Sequence, residues 1–108
     1  MASQLQVQYT FLNASSAGNT TAIAAQAGQR IVVLQAIVIS GAAGSVKFAT
    51  STGPTDISAT WPVAANGGFV IPYSELGWFQ TNIGDALLFN QSGATSTGVH
   101  LVWCPMNS

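Results

Sequence analysis

Apolar and polar residues alternate from the first residues of the chain. Leu5, Val7, Tyr9 and Phe11 interleave with Gln4, Gln6, Gln8 and Thr10. Period two of this kind predicts a strand with one apolar face and one polar, uncharged face. Residues 13–19 (NASSAGN) form a turn cluster. Residues 20–25 fit a short strand, which Ala27-Gly28-Gln29 breaks. From Arg30 to Ser40 the chain is apolar on both faces and rich in β-branched residues. Ile31, Val33, Ile37 and Ile39 are expected on one side, and Val32, Leu34, Ala36 and Val38 on the other. Such a segment suits a central strand covered on both sides. If only one face meets the domain's own core, the other needs a partner.

The remaining segments continue the pattern. Residues 41–44 (GAAG) turn the chain, after which Val46 and Phe48 oppose Ser45 and Lys47. A loop at 51–54 leads to a strand over 56–61, whose pairing Pro62 is expected to end. Asn66-Gly67 is the strongest turn signal, because Asn and Gly accept positive φ. Strands are predicted at 69–73, limited by Pro72, and at 76–80 as a strand or extended crossing. Residues 86–91 and 99–104 are expected to pair around the 92–98 connection. No ten-residue window holds helical spacing. Eight or nine short strands at regular intervals predict an all-β fold, a β-sandwich or jelly roll of antiparallel strands. One domain is expected over residues 1–108, with 1–12 as an edge strand or an arm reaching a neighbouring subunit. Tyr9, Phe11, Phe48, Phe69, Phe89 and Trp103 fall on apolar strand faces and are expected in the core.

Charge changes this picture. Only Arg30, Lys47, Asp56, Glu75 and Asp85 are charged among 108 residues, whereas an ordinary soluble domain is about a quarter Asp, Glu, Lys and Arg. Such charges normally keep a monomer apart from its neighbours, so most of the surface reads as destined for contact with protein. Two basic residues cannot build the positive stripe that nucleic acid or an anionic membrane requires. The longest apolar stretch, 31–39, is interrupted by Gln35 and falls short of the roughly 20 residues of a spanning helix. The first residues have neither a basic start nor an apolar run, so no secretory signal is expected, and synthesis in the cytoplasm fits. Cys104 is the single cysteine, which excludes an intrachain disulfide.

The candidate chemistry is sparse. His100 is the single histidine. It shares a strand face with Cys104, but four strand steps separate their backbones by about 13 Å, too far for a Cys–His pair. No serine lies in a nucleophile-elbow pattern. Asp85 follows Gly84 and Glu75 lies in Pro72-Tyr73-Ser74-Glu75, both turn settings that account for the carboxylates without catalysis. No His, Cys, Asp or Glu cluster has metal spacing, and no phosphate-cradling glycine loop is present. Neither a cofactor nor an enzymatic reaction is expected. Trp61, Trp78 and Phe79 sit near turns, where aromatic rings close a sandwich end, stack on sugars or anchor a protein interface. Gln4, Gln6, Gln8, Arg30, Trp61, Tyr73 and Trp78 are the candidate interface residues.

A series of motifs carries a resemblance. Residues 28–34 (GQRIVVL) lead to 44–48 (GSVKF), then 62–73 (PVAANGGFVIPY), 76–81 (LGWFQT) and 84–87 (GDAL). This resembles small β-sandwich proteins of tailed bacteriophages, most of all capsid decoration, or cement, proteins, over about residues 20–104. The resemblance implies a jelly-roll-like homo-oligomer, with a trimer favoured. It would sit on the virion surface and tie neighbouring major capsid subunits together. Similar sandwiches occur in tail and fibre proteins, so the alternative is a module that binds a host glycan or receptor through Trp61, Trp78 or Tyr73. The family pattern has no catalytic residue to carry over.

Overall fold

The computed structural model describes residues 6–107. Ten strands follow in order: β1 (Gln8–Ala14), β2 (Gly18–Ile23), β3 (Arg30–Ser40), β4 (Gly44–Thr50), β5 (Thr55–Asp56), β6 (Trp61–Val63), β7 (Gly67–Ile71), β8 (Phe79–Gln80), β9 (Leu87–Gln91) and β10 (Thr97–Met106). No helix occurs among the described residues. One sheet runs β1-β10-β3-β7, with β8 also on β3; the other runs β2-β9-β4-β5, with β6 also on β4. All pairings are antiparallel. The chain changes sheet at six of its nine connections, and β1 and β10 are neighbours although they lie at opposite ends of the sequence. This winding of two Greek keys into facing sheets is a jelly roll. Ten strands rather than eight or nine arise because β5 and β8 are two-residue pieces.

The core lies between the sheets. Phe48 and Leu87 with Phe89, from β4 and β9, meet Ile31, Val33, Ala36, Val38, Val99, Leu101 and Trp103 from β3 and β10. Phe48 is its centre, with ring centroids 5.1 Å from Phe79, 5.5 Å from Phe89 and 6.4 Å from Trp61. Phe69 is half-buried against this core. The Asn66-Gly67 turn forms as expected, with Asn66 at φ 58° and Gly67 N–H donating to Ala64 O at 3.0 Å. It carries the chain from one sheet to the other.

Several expectations are corrected. Residues 86–91 and 99–104 do not pair with each other, because β9 lies between β2 and β4 while β10 lies between β1 and β3. Their apolar residues face one another across the core, which a shared ladder would not allow. The connection is held at the sandwich end by Ser92 N–H on Ser45 O and Gly41 N–H on Ser96 O. Pro62 does not end a strand but lies inside β6, opposite Ser45. Among the described residues β6 pairs only with β4, and an edge strand tolerates a residue without an N–H.

The faces of β3 also differ from expectation. Opposite Val102 and Trp103 the register skips Leu34, so β3 carries one extra residue there. A bulge of this kind reverses which residues point inward. Ile31 and Val33 are core residues before it, and Ala36 and Val38 after it, while Ile37 and Ile39 point outward.

Tyr9 and Phe11 are the largest correction. They are 73% and 74% exposed instead of buried. Thr10 lies opposite Leu101, and Leu12 opposite Val99, both core residues. The inward side of β1 is therefore Thr10, Leu12 and Ala14, and its aromatic side faces out.

Candidate interaction surface

Sheet register lines up the outward side chains of the β1 sheet. Phe11, His100, Ile37 and Val70 form one row across β1, β10, β3 and β7. Asn13, Gly98, Ile39 and Gly68 form the next. Tyr9, Val102 and Gln35 lie in the row on the other side. No Asp, Glu, Lys or Arg occupies these positions. Ile39 and Val70 are 50% and 59% exposed. Two glycines flatten the second row and leave a groove of about 330 Å³ lined by Phe11, Asn13, Ile37, Ile39, Gly98 and His100.

The other end of the same face is covered by the chain itself. Val32, Leu34, Val102 and Cys104 form a small second core, with Val7 packed on it. The loop between β7 and β8 lies along it, with Ser74 N–H on Leu34 O and Trp78 N–H on Val33 O. The doubly apolar β3 is thus closed over its first half by its own loop and left open over its second half. Burial pushes the Cys104 thiol above its ordinary pKa, so it stays protonated and inert.

The outer face of the β4 sheet is different. Asn19 lies opposite Asn90 and Asn90 opposite Lys47. Asn90 Nδ2 donates to Asn19 Oδ1 at 2.8 Å, and Lys47 pairs with Asp56 at 3.1 Å. That ion pair is solvent-exposed and adds little stability. It nonetheless makes this the hydrated side of the sandwich.

The expected interface residues scatter. Gln4 lies outside the described residues. Gln6 and Gln8 are exposed at the start of β1, at one edge of the sheet. Arg30 is half-buried at the start of β3, and its Nε has no hydrogen-bond partner among the described residues. Trp61 is half-buried and packs on Phe69 at 4.9 Å as well as on Phe48, so it belongs to the end of the core. Tyr73 and Trp78 are exposed beside the opposite sheet edge, with Trp78 Nε1 donating to Pro72 O at 2.7 Å. Trp61 and Trp78 line a cleft of about 410 Å³ with Asp56, Ile71 and Phe79. Sequence reasoning missed Ile37, Ile39, Val70 and Gly98 as surface residues. The available signal was the doubly apolar β3 segment, which called for a partner on one face.

The titratable groups are placed structurally. His100 is exposed in the apolar row, its ring tilted 39° to Phe11 with centroids 6.4 Å apart. Among the described residues no three His, Cys, Asp or Glu side chains converge as a metal site. Asp85 is buried and accepts from Thr50 Oγ1 at 2.6 Å, Thr52 Oγ1 at 2.7 Å and Thr52 N–H at 3.0 Å. This clamp joins the 51–54 loop to the 81–86 turn, so Asp85 has a structural role but ties two turns together rather than capping its own. The Thr50 hydroxyl first, and then Thr52, hold the Asp85 carboxyl below its ordinary pKa, against an opposing effect of desolvation. A depressed folded-state pKa contributes stability above the unfolded value that is lost as pH falls through the folded one. Melting followed calorimetrically is therefore expected to weaken below about pH 4, and Asp85→Asn should flatten that dependence. Equal acid slopes in both proteins would contradict the clamp's role.

Compared with known proteins, the chain matches no family model and no curated relative.

Proposed function

We propose that this protein is a structural subunit of a phage virion. In this reading it self-associates, with a trimer as the state the resemblance implies. It sits on the capsid surface and ties neighbouring major capsid subunits together. The observation that carries the reading is the contrast between the two outer faces. The β1 sheet presents Tyr9, Phe11, Ile37, Ile39 and Val70 without a charge, while the β4 sheet presents Asn19, Lys47, Asp56 and Asn90. A virion subunit of this kind needs one side covered by protein, its own copies or the shell, and one that faces water. The exposed Tyr73, Leu76 and Trp78 add further apolar contact area at the sheet edge away from β1. Jelly rolls serve in viral shells and in lectins alike, so the fold alone does not choose between them. The reading assigns no catalytic step, cofactor or nucleic-acid contact.

Contacts made of apolar burial and neutral hydrogen bonds respond little to salt, whereas charge-steered binding weakens as salt rises. Added to emptied phage shells, the protein is expected to bind at both low and molar salt. It should raise the temperature at which the shells break, because a ligand of the assembled state stabilises that state by mass action. Binding with no gain in shell stability would remove the cement role. The Trp61–Trp78 cleft then becomes the next candidate, as the glycan site of a tail or fibre module. The exposed Trp78 ring lining it favours that second reading, and a glycan array with a hit abolished by Trp78→Ala would establish it.

A further inference from the structure

We infer that the open half of the β1 sheet packs against a second copy of this chain, with Phe11 of one copy seated in the Gly98 groove of the next. The inference deepens the reading of the protein as a self-associating subunit and rests on that part of it, with a two-fold pair in place of the trimer, because one face meeting the same face closes after two copies.

Three observations select the occupant. The first is shape. The same face carries an exposed aromatic side chain, Phe11, and the recess beside it over Gly98. One copy thus supplies the knob that the next copy's hole lacks, the self-complementary condition for a contact between identical subunits. The groove volume of about 330 Å³ accommodates a phenyl ring with room for its neighbours. The second observation is area. Tyr9, Phe11, Ile37, Ile39 and Val70 together offer roughly 400–500 Å² of apolar surface. A standard interface takes about 800 Å² per partner, of which a homodimer contact is about 65% apolar. The patch therefore supplies most of the apolar part of one side. The third is charge. A foreign partner steered electrostatically would find no charge here to complement. This chain, with five charged residues in 108, is itself a charge-poor partner.

Gly98 is also the position at which the contact can be tested without disturbing the fold. A Cβ there meets only Asn13 Oδ1, at 4.0 Å, and the backbone is not in the left-handed region. Gly98→Leu fills the groove from outside the core. Phe11→Asp removes the knob and places a charge on the face. Sedimentation equilibrium from about 1 to 100 µM is expected to show an oligomer for the wild type and at least a tenfold weaker association for each variant. Circular dichroism on the same samples reports the fold. A second measurement reads proximity rather than affinity, at the upper end of the same concentration range. Phe11→Cys chains mixed with Gly98→Cys chains should form a mixed disulfide on mild oxidation, with buried Cys104 inert. A wild type that stays monomeric overturns the inference. So does an oligomer that both variants leave intact, or one that gives no mixed cross-link. Shell binding by the same variants separates this from the virion reading. Variants that stay oligomeric but lose shells would assign the face to the capsid. Variants that become monomeric in a protein whose wild type never binds shells would keep the self-contact and remove the virion role.

Discussion

Phe48→Ala is expected to lower the free energy of unfolding by about 3–5 kcal/mol. Phe48 is completely buried at the point where both sheets and the sandwich end converge. Removing its ring takes away the stacked contact with Phe79 and the edge contacts with Phe89 and Trp61 at once. These neighbours come from β8, β9 and β6, each fixed by its own pairing. They cannot collapse into the space without breaking ladders, so most of the cavity persists. Small domains are stable by only about 5–15 kcal/mol in total, so the variant should populate unfolded chain under mild conditions. Urea unfolding followed by tryptophan fluorescence measures the change. A loss below about 1 kcal/mol would mean that the aromatic cluster repacks and is not the centre of the core.

Gly68→Ala should be nearly as damaging although Gly68 is exposed. A Cβ at this position would overlap the Val38 carbonyl oxygen and crowd the Ile39 Cα, which are backbone atoms of the paired strand. Backbone cannot step aside as a flexible side chain can, so β7 must lift away from β3. The expected cost is about 2–4 kcal/mol, in the range of overpacked or strained sites. The outer row would lose its flat second line as well, so association should weaken together with stability. Gly98→Ala, next to open space in the same row, is the control and should cost less than about 1 kcal/mol. Equal effects at the two glycines would contradict the close approach of β7.

Much of this fold was legible in the sequence because period two, turn residues and β-branched runs are local signals. The Asn66-Gly67 turn, the inward Val99, Leu101 and Trp103, and the outward His100 all follow from neighbours a few positions away, whereas Asp85, expected to cap its own turn, bonds to Thr50 and Thr52 in a distant loop. What was not legible depends on residues far apart. Alternation in β1 shows that Tyr9 and Phe11 share a face, but only the register with β10 decides that the face is the outer one. The extra residue at Leu34 leaves no mark beyond the single polar Gln35 beside it, in a segment otherwise apolar on both faces, yet it reverses the faces of Ile37 and Ile39. The partners of β9 and β10 follow from the winding of the jelly roll, which no short segment encodes. The interaction surface was hidden by the same two reversals. Tyr9 and Phe11 were counted as core because hydrophobic character was read as burial, while the domain has more apolar strand face than its own core can cover.

The central claim is that the β1 sheet is covered and the β4 sheet open when the protein is at work. Hydroxyl-radical footprinting of the protein bound to emptied phage shells, compared with the protein diluted free in solution, tests it residue by residue. The expected result is strong protection of Tyr9, Phe11, Ile37, Ile39 and Val70 and unchanged reactivity at Leu88, which lies between Thr21 and Ala49 in the β4 sheet. Equal reactivity of Tyr9 and Phe11 in the two states, or protection confined to the β4 sheet, would contradict it.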